Sequence, residues 1–290
     1  MYEKHIFIFN KLSSIYEKLG DEIRATAYHN LAKRLELGEL TGITSKSKEK
    51  IEEITNTGNL TLLKTLENSK NVKERLRLTG IIGFGPKKAQ RLVARGVTTL
   101  AKIKKLDKLT SLQKLGIKYY NKISYPTINT FKKITTFIKN NTSDLVKIEI
   151  AGSFRTGDPN PGDIDIIICT KNGDIKDIVE KMQEKNILVD YVKTGENDIL
   201  GFIKINDNFF RIDIKCVVPK YLASYLLFFG SGKYFSKYTR QVAKKNGYLL
   251  NQYGVKDRKT KELKTFRTEK AILKFLDIPY YTPEERKKYF

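Results

Sequence analysis

The chain has 290 residues, 40% of them hydrophobic, which is enough to fold two domains or several small subdomains that share cores. Lys and Arg number 55 against 32 Asp and Glu, and a formal net charge of +23 attracts polyanions, either nucleic acid or an acidic membrane surface. Two cysteines and two histidines, His5 and His29, rule out a disulfide framework or thiolate zinc cage, leave little for a His-based metal centre, and fit a reducing intracellular compartment.

The apolar run Ile6–Phe9 has no signal-peptide cleavage pattern, and the longest apolar stretch, Tyr221 to Phe229, is about half of a bilayer span. No membrane partner is expected. From Phe7 to about Leu37, apolar residues recur at helical spacing, punctuated by Gly20-Asp21. Two segments about forty residues apart, Leu40–Ile51 and Ile81–Leu92, look like copies of one unit, a glycine turn before a basic helix. From Lys147 the period becomes strand-like over Lys147–Ala151, Asp163–Cys169, Ile199–Ile205 and Phe209–Val218. Helical patterns cover Gly173–Glu184, Pro219–Asn246 and Thr268–Leu276. The fold class expected is α+β, with helical subdomains first and a β-sheet subdomain after them.

Asp163 and Asp165 stand two apart in an apolar strand, so the strand period puts both carboxylates on one face, about 6 to 7 Å apart. Asp213 lies in another apolar strand; if the two strands are neighbours, the three carboxylates form an all-oxygen site suited to two Mg²⁺ ions. The plainer alternative is that Asp163 and Asp165 cap a strand end beside a Pro-rich turn. Asp213 weighs against it, because an unpaired carboxylate among Phe209, Phe210, Ile212 and Ile214 would be costly. Upstream, Gly152 and Ser153 close a strand, and Pro159, Pro161 and Gly162 turn the chain back, offering a hydroxyl and backbone N–H groups to a triphosphate. Strand parity puts Cys169 on the Asp165 face and Cys216 opposite Asp213, against a disulfide.

Gly152-Ser153-Phe154-Arg155-Thr156-Gly157, followed by Gly162-Asp163-Ile164-Asp165, resembles the nucleotidyltransferase signature of the beta-like family X DNA polymerases, and Arg211-Ile212-Asp213 resembles their third-carboxylate motif. The resemblance runs from about residue 7 to 290. It implies a lyase-like helical domain with a first helix-hairpin-helix (1–67), a duplex-binding subdomain with a second (68–128), a nucleotidyltransferase palm (129–220) and an α/β thumb (221–290). Asp163, Asp165 and Asp213 are then the catalytic metal ligands. Gly152, Ser153, Arg155, Gly162, Phe228, Phe229, Gly230 and Ser236 would contact the nucleotide, Phe228 and Phe229 at its sugar. Arg240 would meet the template minor groove, and Arg211 the DNA. Thr156 stands where the family has an arginine that grips the triphosphate, a neutral hydroxyl in place of a charged fork.

The repeated segments resemble helix-hairpin-helix motifs, in which a glycine turn brings backbone N–H groups and a helix N-terminus to a DNA phosphate. Gly83, Gly85 and Lys87 carry the second copy; the first, at Gly42-Ile43-Thr44, lacks the second glycine. The carbonyls of Thr79, Ile81 and Phe84 would hold Na⁺ or K⁺. Lys46 and Lys50 are four apart on one helix face, where like charges depress each other's pKa and favour a Schiff-base nucleophile. The resemblance makes Lys50 the nucleophile of a 5′-deoxyribose-phosphate lyase, with Lys46, Tyr28 and Arg24 around the 5′-phosphate, although Ile23 and Leu62 replace polar or basic residues. A solvated lysine face that only touches phosphate is the plainer reading.

The function implied is DNA-directed addition of dNTPs to a primer 3′-OH at short gaps during base excision or gap-filling repair, with Mg²⁺, or Mn²⁺ in its place. Partners are gapped or nicked DNA and dNTPs, the chain acting as a monomer, in a nucleus or a cytoplasmic viral or organellar DNA compartment. The rivals are a template-independent terminal transferase or RNA nucleotidyltransferase, and a DNA-binding scaffold without catalysis.

Overall fold

The computed structural model describes residues 2–290, in two compact units that divide between Tyr120 and Asn121. The first unit is all helical: α1 (Glu3–Leu19), α2 (Glu22–Glu36), α3 (Ser45–Thr57), α4 (Thr61–Asn68), α5 (Lys70–Thr79), α6 (Pro86–Ala94), α7 (Leu100–Lys104) and α8 (Ser111–Tyr119). Gly20, at φ 83°, ends α1, and the Asp21 side chain accepts from Arg24 N–H at 3.0 Å to start α2, so the Gly-Asp punctuation works as expected. Phe9, Leu12, Leu35, Ile54 and Leu60 centre one core, and Leu78, Ile81, Phe84, Leu92 and Ile103 a second.

Both glycine turns precede helices. Thr44 needs no second glycine, because at φ −64° it is the N-cap of α3, its hydroxyl accepting from Ser47 N–H. In the second turn Gly83 has φ +85°, and a Cβ there would come within 3.0 to 3.2 Å of Gln113, whose Nε2 donates to the Gly83 carbonyl at 3.0 Å.

The second unit contains α9 (Ile128–Asn141), β1 (Leu145–Ile150), α10 (Gly152–Arg155), β2 (Ile164–Thr170), α11 (Lys176–Glu184), β3 (Leu188–Lys193), β4 (Asp198–Ile205), β5 (Asn208–Val217), α12 (Pro219–Phe229), α13 (Lys233–Lys245), β6 (Tyr248–Asn251), β7 (Gly254–Asp257), β8 (Leu263–Lys264), α14 (Glu269–Phe275) and α15 (Pro283–Tyr289). Five strands form one sheet in the order β1-β2-β5-β4-β3, with β2 and β5 parallel and the other pairs antiparallel; β6-β7-β8 form a second. Ile164, Ile166, Ile168, Ile212 and Ile214 pack with residues of α9 and α11 on one face of the large sheet. Ile167, Cys169 and Val217 pack with Tyr225 and Leu226 of α12 on the other. Cys169 and Cys216 are free, buried and on opposite faces.

The α+β expectation holds, with differences of detail. The helical stretch expected over 219–246 is broken at Gly230-Ser231-Gly232, Gly232 having φ +77°. Strand β3 and the small sheet carry no clear alternation, and α15 lies beyond the last expected helix.

Candidate active site

The parallel register of β2 and β5 sets Asp165 directly opposite Asp213, on the face that α12 covers. Gly152 closes on the same carboxylate. Its φ is +59°, the N–H of neighbouring Ala151 donates to the Asp165 carbonyl at 2.9 Å, and a Cβ on Gly152 would lie 1.8 Å from Asp165 Oδ2. Only glycine fits there, so the Gly-Ser dipeptide and the Asp-x-Asp motif are one packed unit. Burial first, and the facing Asp213 second, push the Asp165 carboxyl up to about 6.

The other two carboxylates are held by cations. Asp163, just before β2, is paired with Arg211. Asp213 Oδ1 accepts from Lys215 Nζ at 3.0 Å, and the same ammonium lies 3.9 Å from Asp198 and 4.4 Å from the ring centre of Phe229. Burial lowers the pKa of Arg211, opposed by the charge of Asp213. Arg211 therefore faces Asp163, not outward as a DNA contact requires. Among the described residues no three His, Cys, Asp or Glu side chains converge as a metal set. The sheet brings Asp165 and Asp213 together, and Asp163 stands two residues away, turned onto its arginine.

Several expected nucleotide contacts have other roles. Arg155 is tied down, its Nη1 donating to the Gly230 carbonyl at 2.8 Å and its Nη2 lying 2.5 Å from Glu269 Oε2. Arg286, with a fully buried side chain, reaches the other Glu269 oxygen at 2.7 Å and Ser231 Oγ at 2.7 Å. Gly230 makes room for this network, since a Cβ would come within 2.9 Å of Arg155. Nothing at sequence level marked Glu269 or Arg286, which stand among many charged residues. Ser236 is buried and its hydroxyl donates to the Phe228 carbonyl at 3.4 Å, which takes it from a base contact. Thr156 is buried, donating to the Ser153 carbonyl at 3.0 Å. Ser153, Phe228 and Phe229 stay half-exposed and Gly162 is open. The Arg240 guanidinium sits 5.2 Å from the Phe228 ring centre.

In the helical unit, Lys50 Nζ donates to the Lys46 carbonyl at 3.0 Å. Tyr28 stacks between Phe9 and Tyr16, burial raising its pKa, and exposed Arg24 lies 5.4 Å from the Tyr16 ring centre. Gly85 and Lys87 are exposed, and the Ile81 carbonyl accepts from Phe84 N–H at 3.0 Å.

Three known domain types match the chain in succession: the fingers domain of DNA polymerase lambda over residues 77–124, the DNA polymerase beta palm over 127–220 and the DNA polymerase beta thumb over 225–287. The chain belongs to the family X DNA polymerases. DNA polymerase lambda of Arabidopsis thaliana is 28% identical across 96% of this chain and 61% of its own length. DNA polymerase lambda of Rattus norvegicus is 26% identical across 95% and 54%. The DNA polymerase/3'-5' exonuclease PolX of Bacillus subtilis (strain 168) is 25% identical across 76% and 35%. The chain thus spans just over half the length of the two lambda relatives.

Family X membership implies dependence on a divalent metal, and the donor set fits one. Asp165 and Asp213 are facing, partly desolvated oxygen donors whose mutual repulsion a cation would relieve. Without metal, the burial of this charge and, second to it, the repulsion from Asp213 have a measurable cost. The Asp165 pKa is raised in the folded state, so the folded protein binds more protons between about pH 4 and 6, and stability falls as pH rises through that window. In EDTA, Asp165→Asn is expected to be more stable than the parent by about 3 kcal/mol at pH 8, a difference that disappears below about pH 4. Denaturant unfolding at the two pH values measures it. No helix among the described residues is long and apolar enough to cross a membrane.

Proposed function

We propose that this chain is a DNA-directed DNA polymerase that adds deoxynucleotides to a primer 3′-OH at short gaps in DNA repair. The observation that carries the reading is Asp165 facing Asp213 across parallel strands, with Gly152 packed onto the same carboxylate and Ser153 next to it. Asp163, Asp165 and Asp213 would hold two Mg²⁺ ions, with Mn²⁺ a substitute; once bound, these activate the primer hydroxyl and neutralise the leaving pyrophosphate. Arg211 and Lys215 stand in as counter-ions for two of the carboxylates, keeping the site charged yet folded. Ser153 and the backbone after it receive the triphosphate, and Phe228 and Phe229 the sugar. With Thr156 buried and Arg155 committed to Glu269, no arginine of this loop supplies the charged grip.

The domain division 1–67, 68–128, 129–220 and 221–290 is the frame for this reading. Gapped or nicked DNA would be held through Gly83, Gly85 and Lys87, with a monovalent ion on the turn carbonyls. The chain would work as a monomer on a nuclear, viral or organellar DNA pool. Primer extension on gapped, recessed and unprimed DNA, with deoxy- and ribonucleotides, is the test. Extension of the gapped primer with deoxynucleotides supports it, whereas extension without template points to a terminal transferase and none at all to a scaffold.

Lys50 is the proposed lyase nucleophile. Its amine rests on a neutral carbonyl, so freeing it to attack an aldehyde costs one hydrogen bond, about 1 kcal/mol. Lys50→Ala is expected to lose the borohydride-trapped adduct with a 5′-deoxyribose phosphate end while retaining primer extension. Undiminished trapping moves the role to Lys46 or removes it.

A further inference from the structure

Helix α6 carries cations on one side at Lys88, Arg91 and Arg95, spaced three and four residues apart, so they line up along the helix. With Lys108 they line a concavity of about 540 Å³, floored by the buried Leu92 and by Leu106, with Asp107 the one acidic residue on its wall. Arg91, Arg95 and Lys108 are exposed, and none of the four cations has an ion-pair partner among the described residues. Like charges three and four apart on a helix destabilise it slightly, and Asp107 offsets a single charge. Such an uncompensated basic concavity is suited to an anion with several regularly spaced charges.

Its position says which one. Arg91 and Arg95 stand six and ten residues beyond Gly85, about 9 and 15 Å along the helix direction. That span is of the order of the width of a DNA groove. We propose that this concavity receives the second phosphodiester backbone of duplex DNA, so that the helical unit grips both strands. The glycine turn at Gly83–Pro86 holds one backbone, and Arg91, Arg95 and Lys108 hold the other. The inference rests on the reading of that turn as a phosphate-binding hairpin. Its consequence is selectivity for duplex over single strands, without sequence preference, because all the contacts are to phosphates.

The test is a full-length chain with Arg91→Ala, Arg95→Ala and Lys108→Ala together, titrated by fluorescence anisotropy onto a blunt duplex and onto one of its strands, between about 50 and 200 mM salt. All three residues are exposed, so an unchanged thermal melt is expected and is checked first. On duplex, the log–log salt slope is expected to become shallower by about 2 to 3. On the single strand it should stay within about one unit of the parent, since these three cations are then not engaged. Arg91→Lys with Arg95→Lys should keep the parental duplex slope, because phosphate neutralisation needs only charge. A steep parental slope that the triple substitution leaves unchanged on duplex overturns the inference and spares the hairpin reading. Equal losses on duplex and single strand also overturn it, since the concavity would then hold the strand already bound. A parental chain with a flat duplex slope overturns both readings together.

Discussion

Asp213→Ala is expected to reduce nucleotide addition by about a thousandfold while leaving affinity for gapped DNA within about twofold of the parent. The first figure follows from the position of Asp213 opposite Asp165, where it completes the oxygen donors available to a metal. A bound cation stabilises the transition state by several kcal/mol, and about 4 kcal/mol is a thousandfold in rate. The second figure follows because DNA affinity rests on a surface carrying a net charge of +23, to which one buried-side carboxylate adds little. Lys215 is not stranded by the substitution, since Asp198 lies 3.9 Å away and can take its charge. Single-turnover primer extension and anisotropy on the same gapped substrate measure the two quantities. Extension within about tenfold of the parent would remove Asp213 from the chemistry.

The alternation of Asp165 and Asp213 with isoleucines was legible in the sequence because strand parity is local, whereas Asp163 falls just before β2, where parity no longer places it, and is turned onto Arg211. The pairing of β2 with β5 was not legible, because parallel neighbours can lie anywhere along a chain; here they are joined through two further strands and a helix. Arg155 shows the limit more sharply. Its motif position suggested a triphosphate, yet its partner Glu269 is 114 residues away, a distance at which no spacing argument operates. Ser236 likewise sits at a motif position, but α13 turns it inward beside Thr239. The small strands β6, β7 and β8, of four, four and two residues, are too short for any period to stand out.

Glu269→Ala is expected to destabilise the chain by about 3 to 5 kcal/mol, the largest stability loss of any single substitution considered. Glu269 is the shared acceptor of Arg155 and Arg286, and Arg286 has no exposed side-chain surface. Removing the carboxylate leaves two guanidinium groups facing each other in a medium where water cannot screen them. Arg286 would keep only Ser231 Oγ and the Tyr281 carbonyl, and its Nη2 is already buried without a hydrogen-bond partner. Replacing both ends of the pair, Glu269→Leu with Arg286→Met, should cost less than Glu269→Ala alone, because no unpaired buried charge remains except the partly accessible Arg155. Urea unfolding of the two variants gives the comparison. The network also holds the nucleotide loop, since Arg155 ends the short helix that begins at Gly152, against Asp165. Primer extension by Glu269→Ala, assayed well below its unfolding temperature, should therefore drop although Glu269 touches neither metal ligand nor substrate. A double variant less stable than Glu269→Ala would show that the ion pair is strongly stabilising in itself, rather than merely costly to break.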